Sequence, residues 1–296
     1  MRSYLFTRYE LTPIMKNRIL REFILRSIKE DIGEGDHSSM ACIPENVAGK
    51  AKLLIKETGI LAGVRIAEQV FSEIDNQLKT KVYINDGTKI VPGDVAFIVS
   101  GNQQSILRSE RLVLNIMQRM SGIATSTREY VDRIKGLPVK ILDTRKTTPG
   151  MRFAEKEAVR IGGGENHRMG LYDMIMLKDN HIDYAGGIKP AIERTQEYLK
   201  IKKKKLMIEI EARSINDIKE ILSCGGIDRI MLDNFSLEQT KTAVKMINGR
   251  FETESSGGIT LETVRSYAEC GVDYISVGAL THHIKSLDMS LKAIWI

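Results

Sequence analysis

The stretch DTRKTTPG, residues 143–150, follows directly on the apolar run 139–142. A turn needs only a glycine, a proline and something polar, so the cations Arg145 and Lys146 ask for another use. Further cations stand at comparable points: His167 and Arg168 within GGGENHRMG (162–170), and Lys178 directly after the apolar run 174–177. Arginine presents a rigid fork that donates two parallel hydrogen bonds to a carboxylate or phosphate. Arg145, Arg168 and Lys178 converging with His167 would therefore make a pocket of strong positive potential. Glu211 and Asp233 are hard oxygen ligands at the ends of two more apolar runs, a pattern suited to holding Mg2+ together with phosphate oxygens. Glu209 lies two residues from Glu211, on the same face of a strand, and one of the two could simply pair with a lysine. Glu211 is the better candidate because it lies nearer the end of its run. The stretch ESSGGIT (254–260) sets Ser255, Gly257 and Gly258 before an expected helix whose first turn is Thr260, Leu261 and Glu262. Backbone N–H groups there, with Gly278 one run later, suit a phosphate.

These residues share one kind of position, the C-terminal end of an apolar run. The runs are 138–142, 174–177, 206–210, 229–232, 251–254 and 273–277, each followed by a polar loop and a helix-like segment. Such alternation predicts a parallel sheet. Because nearly every run ends in a charged or glycine-rich turn, the sheet is expected to curl into an α/β barrel, which gathers all its strand C-termini at one mouth. The loop 162–170 is expected to be flexible. Upstream the rhythm differs. Paired apolar residues from Ile14 to Ile28 predict a helix, and 47–60 and 78–99 predict antiparallel strands punctuated by Asn85-Asp86-Gly87 and Pro92-Gly93. A second long helix is predicted over 104–120, with Ile106, Val113, Ile116, Met117 and Met120 on one face. This first part reads as an α+β unit.

Charge narrows the partners only in sign: 44 Lys+Arg against 38 Asp+Glu favour anions, whether nucleic acid, membrane surface or phosphorylated small molecules. The run KIKKKK (200–205) has no interleaved aromatics or recognition motif and reads as a solvated helix end. His282 and His283 lack further ligands at useful spacing and read as surface or core residues. Cys42, Cys224 and Cys270 are odd in number and far apart, which argues against a disulfide framework or a thiolate metal site. No stretch reaches the roughly 18 apolar residues of a membrane span, and the N-terminus lacks a signal peptide's apolar core, so a cytoplasmic protein is expected.

Taken in order, DTRKTTPG, GGGENHRMGLYDMIMLKDNHI, MLDN, ESSGGI and SVGALTH resemble the quinolinate phosphoribosyltransferases, also called nicotinate-nucleotide pyrophosphorylases (carboxylating). EDIGEGDHSS and ERLVLNIMQRMSGIAT extend the likeness over almost the whole chain. The resemblance implies an N-terminal open-faced α/β sandwich domain over 1–121, rejoined by a C-terminal helix at 283–296. It implies an incomplete α/β barrel of six or seven parallel strands over 122–282. The implied reaction joins quinolinate to phosphoribosyl pyrophosphate with decarboxylation, giving nicotinate mononucleotide, pyrophosphate and CO2 in de novo NAD biosynthesis. Mg2+ would accompany the pyrophosphate, and no separate decarboxylation cofactor would be needed. A homodimer would share its active sites between subunits, with a hexamer as a further assembly.

Carried over by the same resemblance, Arg145, His167, Arg168 and Lys178 hold the quinolinate carboxylates, with Arg111 from ERLVLN reaching in from the other subunit. Lys146 and Lys178 serve the ribosyl pyrophosphate, and Glu211 and Asp233 its ribose hydroxyls and metal. Ser255, Gly257, Gly258 and Gly278 hold its 5′-phosphate. A molybdenum-transport relative of the same fold is disfavoured by KDNH and the HR pair. A non-catalytic basic protein for polyphosphate or nucleic acid would instead spread its cations over one face.

Overall fold

The computed structural model describes residues 13–294, so the reading of the N-terminus as leaderless rests largely on residues outside the described ones. The chain opens with α1 (Pro13–Ile32) and the short α2 (His37–Cys42), then β1 (Ala48–Ile55) and β2 (Gly59–Ile60). Next come α3 (Val64–Ile74), β3 (Lys79–Val82), β4 (Lys89–Ile90), β5 (Val95–Asn102) and the long α4 (Gln103–Arg133). β1 and β5 pair antiparallel and bury Leu53, Ile55, Phe97 and Val99. α3 falls between the expected hairpins. Its Val64, Ala67, Val70 and Phe71 keep helical spacing and are buried, and Phe71 meets Phe97 edge-on at a centroid distance of 5.7 Å. Gly63, at φ 102°, starts α3 where a Cβ would come 3.3 Å from Met117 Cγ, so glycine lets α3 begin this close to α4.

The rest of the chain alternates as the apolar runs require. β6 (Lys140–Leu142), α5 (Arg152–Gly162), β7 (Ile175–Leu177), α6 (Asp179–Ala185), α7 (Ile188–Lys202) and β8 (Ile208–Ala212) come first. α8 (Ile215–Cys224), β9 (Arg229–Asp233), α9 (Leu237–Ile247), β10 (Glu252–Ser256), α10 (Val264–Ala268) and β11 (Tyr274–Ser276) follow. α11 (Ala279–His282) and β12 (Met289–Ile294) complete the described chain. β6 to β11 form one six-stranded sheet in the order β6-β11-β10-β9-β8-β7, parallel throughout. Ile141, Leu142, Ile208, Ile210, Ile230, Leu232 and Ile275 are all buried, because a parallel sheet covered by crossover helices has no wet face. With β6 and β7 as its edges the barrel is incomplete and has six strands.

The residues group into two compact units. One holds 129–145 and 164–278; the other holds the described residues up to Arg128, with 146–163 and those from Ala279 on. α4 runs unbroken through residue 121, and α5 packs against it. A Cβ on Gly162 would lie 2.6 Å from Ala124 O, and Arg128 Nε donates to Gly162 O at 2.9 Å. The expected C-terminal helix over 283–296 is instead the strand β12, with the last two residues outside the described ones. β12 pairs antiparallel with β1 from Lys50 opposite Ile294 to Ile55 opposite Met289, giving the sheet β12-β1-β5-β3. Met289 and Leu291 are buried with strand period, and the free edge of β1 supplies the backbone partners. Among the described residues no helix is long and apolar enough to cross a membrane.

Candidate active site

In the parallel unit the register sets strand ends side by side: Ser256 stands beside Asp233, and Ala212 beside Leu232. β6 leads to Asp143, whose buried carboxylate accepts from His167 N at 2.9 Å and from Asn166 Nδ2 at 2.5 Å. Glu165 N donates to Ile141 O at 2.8 Å, and Asp143 N to Glu165 O at 3.2 Å. The segment expected to be flexible is thus stitched along β6 at residues 165–167. This sets Arg168 where it feels Arg145: burial first, and the Arg145 charge next, push the Arg168 guanidinium down from its ordinary value. Glu209, Asp173 and Glu211 pull it back up, and its Nη1 donates to Met174 O at 3.2 Å.

Lys178 stands at the end of β7, with Nζ 2.7 Å from Glu211 Oε1, while Asp179 N donates to Glu211 Oε2 at 3.0 Å. Glu211 thus pairs with Lys178 and acts on Arg168, while Arg145 repels Arg168, so each of the three cations lies within electrostatic reach of another group of this mouth. Asp233 lies beside them. Burial and the Glu211 charge raise its carboxyl, against the hydrogen bond from Asn234 Nδ2 at 2.8 Å and the charge of Lys178. Two carboxylates that repel each other in a partly buried site suit a divalent cation, and Glu211 and Asp233 could hold one.

The glycine-rich turn is built differently from its expectation. Gly257 and Gly258 have φ of 100° and 59°, and a Cβ on Gly257 would lie 3.0 Å from Asn234 N. Asn234 N donates to Ser256 O at 2.9 Å, which closes the ends of β9 and β10 on each other. The helix does not begin at Thr260. Thr260 N donates to Thr263 Oγ1 at 2.9 Å and Thr263 N to Thr260 O at 3.2 Å, a local turn that postpones α10 to Val264. What remains for a phosphate is the turn backbone, with Ser255 buried at its start and Gly278 two residues past β11.

Deeper along the strands lies a charged layer that the sequence reading only touched. His167 is 8% exposed, its Nε2 3.0 Å from Glu209 Oε2 and 3.5 Å from Glu254 Oε2. Its Nδ1 accepts from Arg168 N at 2.7 Å, which fixes the ring proton on Nε2, facing the glutamates. Burial alone would lower this ring, but Glu254 and Glu209 raise it to about 10; a second proton on Nδ1 would have to break the Arg168 bond. Arg229 closes the layer, with Nη1 3.0 Å from Glu254 Oε2, Nη2 2.8 Å from Glu252 Oε2 and the guanidinium 3.9 Å above the Tyr274 ring. Burial would raise Glu254, yet His167 and Arg229 hold it down at about 2. Glu209 is raised, by burial and by Glu254. His167, Glu209 and Glu254 lie close enough to ligate a metal, but Arg229 already supplies the positive charge. His167 is therefore the one expected substrate ligand whose ring is turned into the barrel. Asp143 was legible in the sequence only as a residue at the end of the first run, and Arg229 went unnoticed; a charge inside an apolar run, as in DRIMLD, was the available signal.

In the other unit, Arg111 is exposed on α4, and Lys146 is exposed in the segment leading to α5. Thr281 Oγ1 donates to the Lys146 carbonyl at 2.7 Å.

An incomplete parallel barrel with cations and paired carboxylates at its strand ends is the build of an enzyme for anionic substrates. Two family models cover most of the chain: quinolinate phosphoribosyl transferase, N-terminal domain, over 36–121, and the C-terminal domain over 123–292. A tobacco (Nicotiana tabacum) protein named quinolinate phosphoribosyltransferase [decarboxylating] 2b, mitochondrial, is 47% identical over 92% of this chain and 82% of its own length. A probable nicotinate-nucleotide pyrophosphorylase [carboxylating] of Bacillus subtilis is 41% identical over 95% of this chain and 94% of its own. The crystal structure of NadC from Streptococcus pyogenes superposes with a TM-score of 0.88 at 38% identity, covering 97% of this chain and 99% of that one. The chain belongs to the quinolinate phosphoribosyltransferase family.

Proposed function

We propose that the chain transfers the phosphoribosyl group of phosphoribosyl pyrophosphate to quinolinate with decarboxylation. The products are nicotinate mononucleotide, pyrophosphate and CO2, in de novo NAD biosynthesis. One observation supports the reading: Lys178 pairs with Glu211, the charges of Glu211 and Arg145 both act on Arg168, and those of Glu211 and Lys178 both act on Asp233. Quinolinate is a dianion and its co-substrate a polyanion, and fixed positive charge in a partly dry mouth offsets their repulsion.

Arg145 and Arg168 hold the carboxylates, and His167 steadies Arg168 from the buried side through its Nδ1. Lys178, aimed by Glu211, and Lys146 neutralise the pyrophosphate as it leaves C1 of the ribose. The mouth orients the pyridine nitrogen to form the new bond at that carbon. The positive charge of the quaternary nitrogen then stabilises the electron pair left on C2 when the adjacent carboxylate departs as CO2, and a proton from solvent completes the C2–H bond. Mg2+, held by Glu211 and Asp233, would supply further neutralising charge on the pyrophosphate. Ser255, Gly257, Gly258 and Gly278 cradle the 5′-phosphate by their backbone. In the same reading Arg111 completes the mouth of a second copy in a homodimer, with a hexamer as a further assembly, and the protein works in the cytoplasm.

The test is direct. Purified protein with quinolinate, phosphoribosyl pyrophosphate and Mg2+ is expected to release nicotinate mononucleotide and CO2 in equal amounts; failure to form either would reject the reading.

A further inference from the structure

The segment that carries Lys146 is tied down residue by residue. Thr281, fully buried, donates from Oγ1 to Lys146 O at 2.7 Å. Arg152 Nε donates to Thr147 Oγ1 at 2.9 Å. Thr148 N donates to Glu155 Oε2 at 3.1 Å, and Arg119 Nη2 donates to Thr148 Oγ1 at 2.9 Å. Arg119 and Glu155 are themselves locked, Nε to Oε1 at 2.7 Å, and a second donation from Arg119 Nη2 reaches Thr281 O at 3.0 Å. Arg119 comes from α4, Glu155 from α5 and Thr281 from α11, so three separate elements meet on three consecutive backbone positions.

The Glu155 side chain is fully buried and that of Arg119 is 26% exposed. A buried ion pair is weak support for stability, because a well-packed apolar pair of similar volume serves the fold as well or better. What an apolar pair could not do is grip a backbone N–H, a hydroxyl and a carbonyl at once. Meanwhile the Lys146 side chain stays exposed beyond this anchored backbone.

We propose that Arg119, Glu155 and Thr281 are positioning residues that aim Lys146 at the pyrophosphate end of the phosphoribosyl donor. This rests on the proposed role of Lys146, so the experiment separates the two. Steady-state kinetics are measured with each substrate varied in turn for Lys146→Met, Arg119→Lys, Thr281→Val and the double variant Lys146→Met/Thr281→Val. Thr281→Val is isosteric and removes one hydroxyl, and thermal melting checks that each variant is folded. Lys146→Met is expected to raise KM for phosphoribosyl pyrophosphate about tenfold or more. Thr281→Val should raise the same constant roughly fivefold, the scale of one hydrogen bond, and Arg119→Lys by at least as much, with KM for quinolinate nearly unchanged in all. Because the clamp acts through Lys146, adding Thr281→Val to Lys146→Met should have no further effect. If Lys146→Met raises the donor KM while Thr281→Val and Arg119→Lys leave it unmoved, or if the effects multiply in the double variant, the clamp is overturned and the reading of Lys146 stands. If Lys146→Met leaves the donor KM unchanged, that reading falls and takes the clamp with it.

Discussion

Glu209 and Glu211 lie two residues apart on the same strand and meet opposite surroundings. Glu211 ends at the mouth against Lys178, whose side chain is 46% exposed, and the Asp179 N–H. Glu209 ends in a closed layer with His167, Glu254 and Arg229, where neither of its oxygens finds an aligned hydrogen-bond donor among the described residues. One step along the strand separates a carboxylate that can meet a ligand from one that only balances charge. In the outer layer the ions are left partly wet and changeable; in the inner layer they are dry, balance one another's charge and, through His167, hold the loop 165–168 in shape. Chemical type alone does not make a site. Depth does.

The sharpest way to break this contrast is to open the inner layer. Arg229→Ala leaves Glu209, Glu252 and Glu254 without their shared cation, and the loss should be about 3–5 kcal/mol in denaturant unfolding; a loss under about 1 kcal/mol would mean the layer is not a unit. Arg145→Ala at the mouth should do the reverse. Catalytic efficiency should fall by at least about two orders of magnitude while the melting temperature hardly moves, and near-normal turnover would refute its role. A milder probe asks whether the mouth, unlike the inner layer, can be completed from outside the chain. Mixing Arg111→Ala with Lys178→Ala protein should recover roughly a quarter of wild-type activity if a two-fold dimer exchanges subunits at random; mixed dimers without recovery would count against a shared site.

The smallest effect concerns pH. Glu254 is held at about 2 in the fold against an ordinary value of 4.5. Its contribution to stability is therefore present above 4.5 and is lost as pH falls through about 2. Glu209, shifted upward, works in the opposite sense. Glu254→Gln should accordingly flatten the loss of stability between pH 5 and 2 seen by urea unfolding; an unchanged slope would show that other carboxylates set it.

The parallel sheet was readable from sequence because strands buried on both faces are short apolar runs. All six expected runs overlap observed strands, for example 229–232 within Arg229–Asp233. The mouth cations were readable because they follow those runs directly. Three things were missed. α3 is a short amphipathic helix of 11 residues, and the helical spacing of its Val64, Ala67, Val70 and Phe71 was passed over between the two regions read as strands. The strand β12 has six residues and is specified by the edge of β1, more than 200 positions earlier, rather than by its own letters. The inner layer depends on the register of β8 against β9 and of β9 against β10, which sets Glu209 and Glu252 on either side of Arg229. The sequence could weigh Glu209 against Glu211, but only the pairing of strands gave each its company.

The pairing of β1 with β12 also bears on the order in which the molecule is made. The last strand of the six-stranded sheet is translated by residue 276, whereas the β1 edge must wait for residues 289–294. Vectorial synthesis would leave that edge without its native neighbour until late, when an open strand can recruit a neighbouring nascent chain. Shielding by chaperones should matter at this edge until β12 is in place.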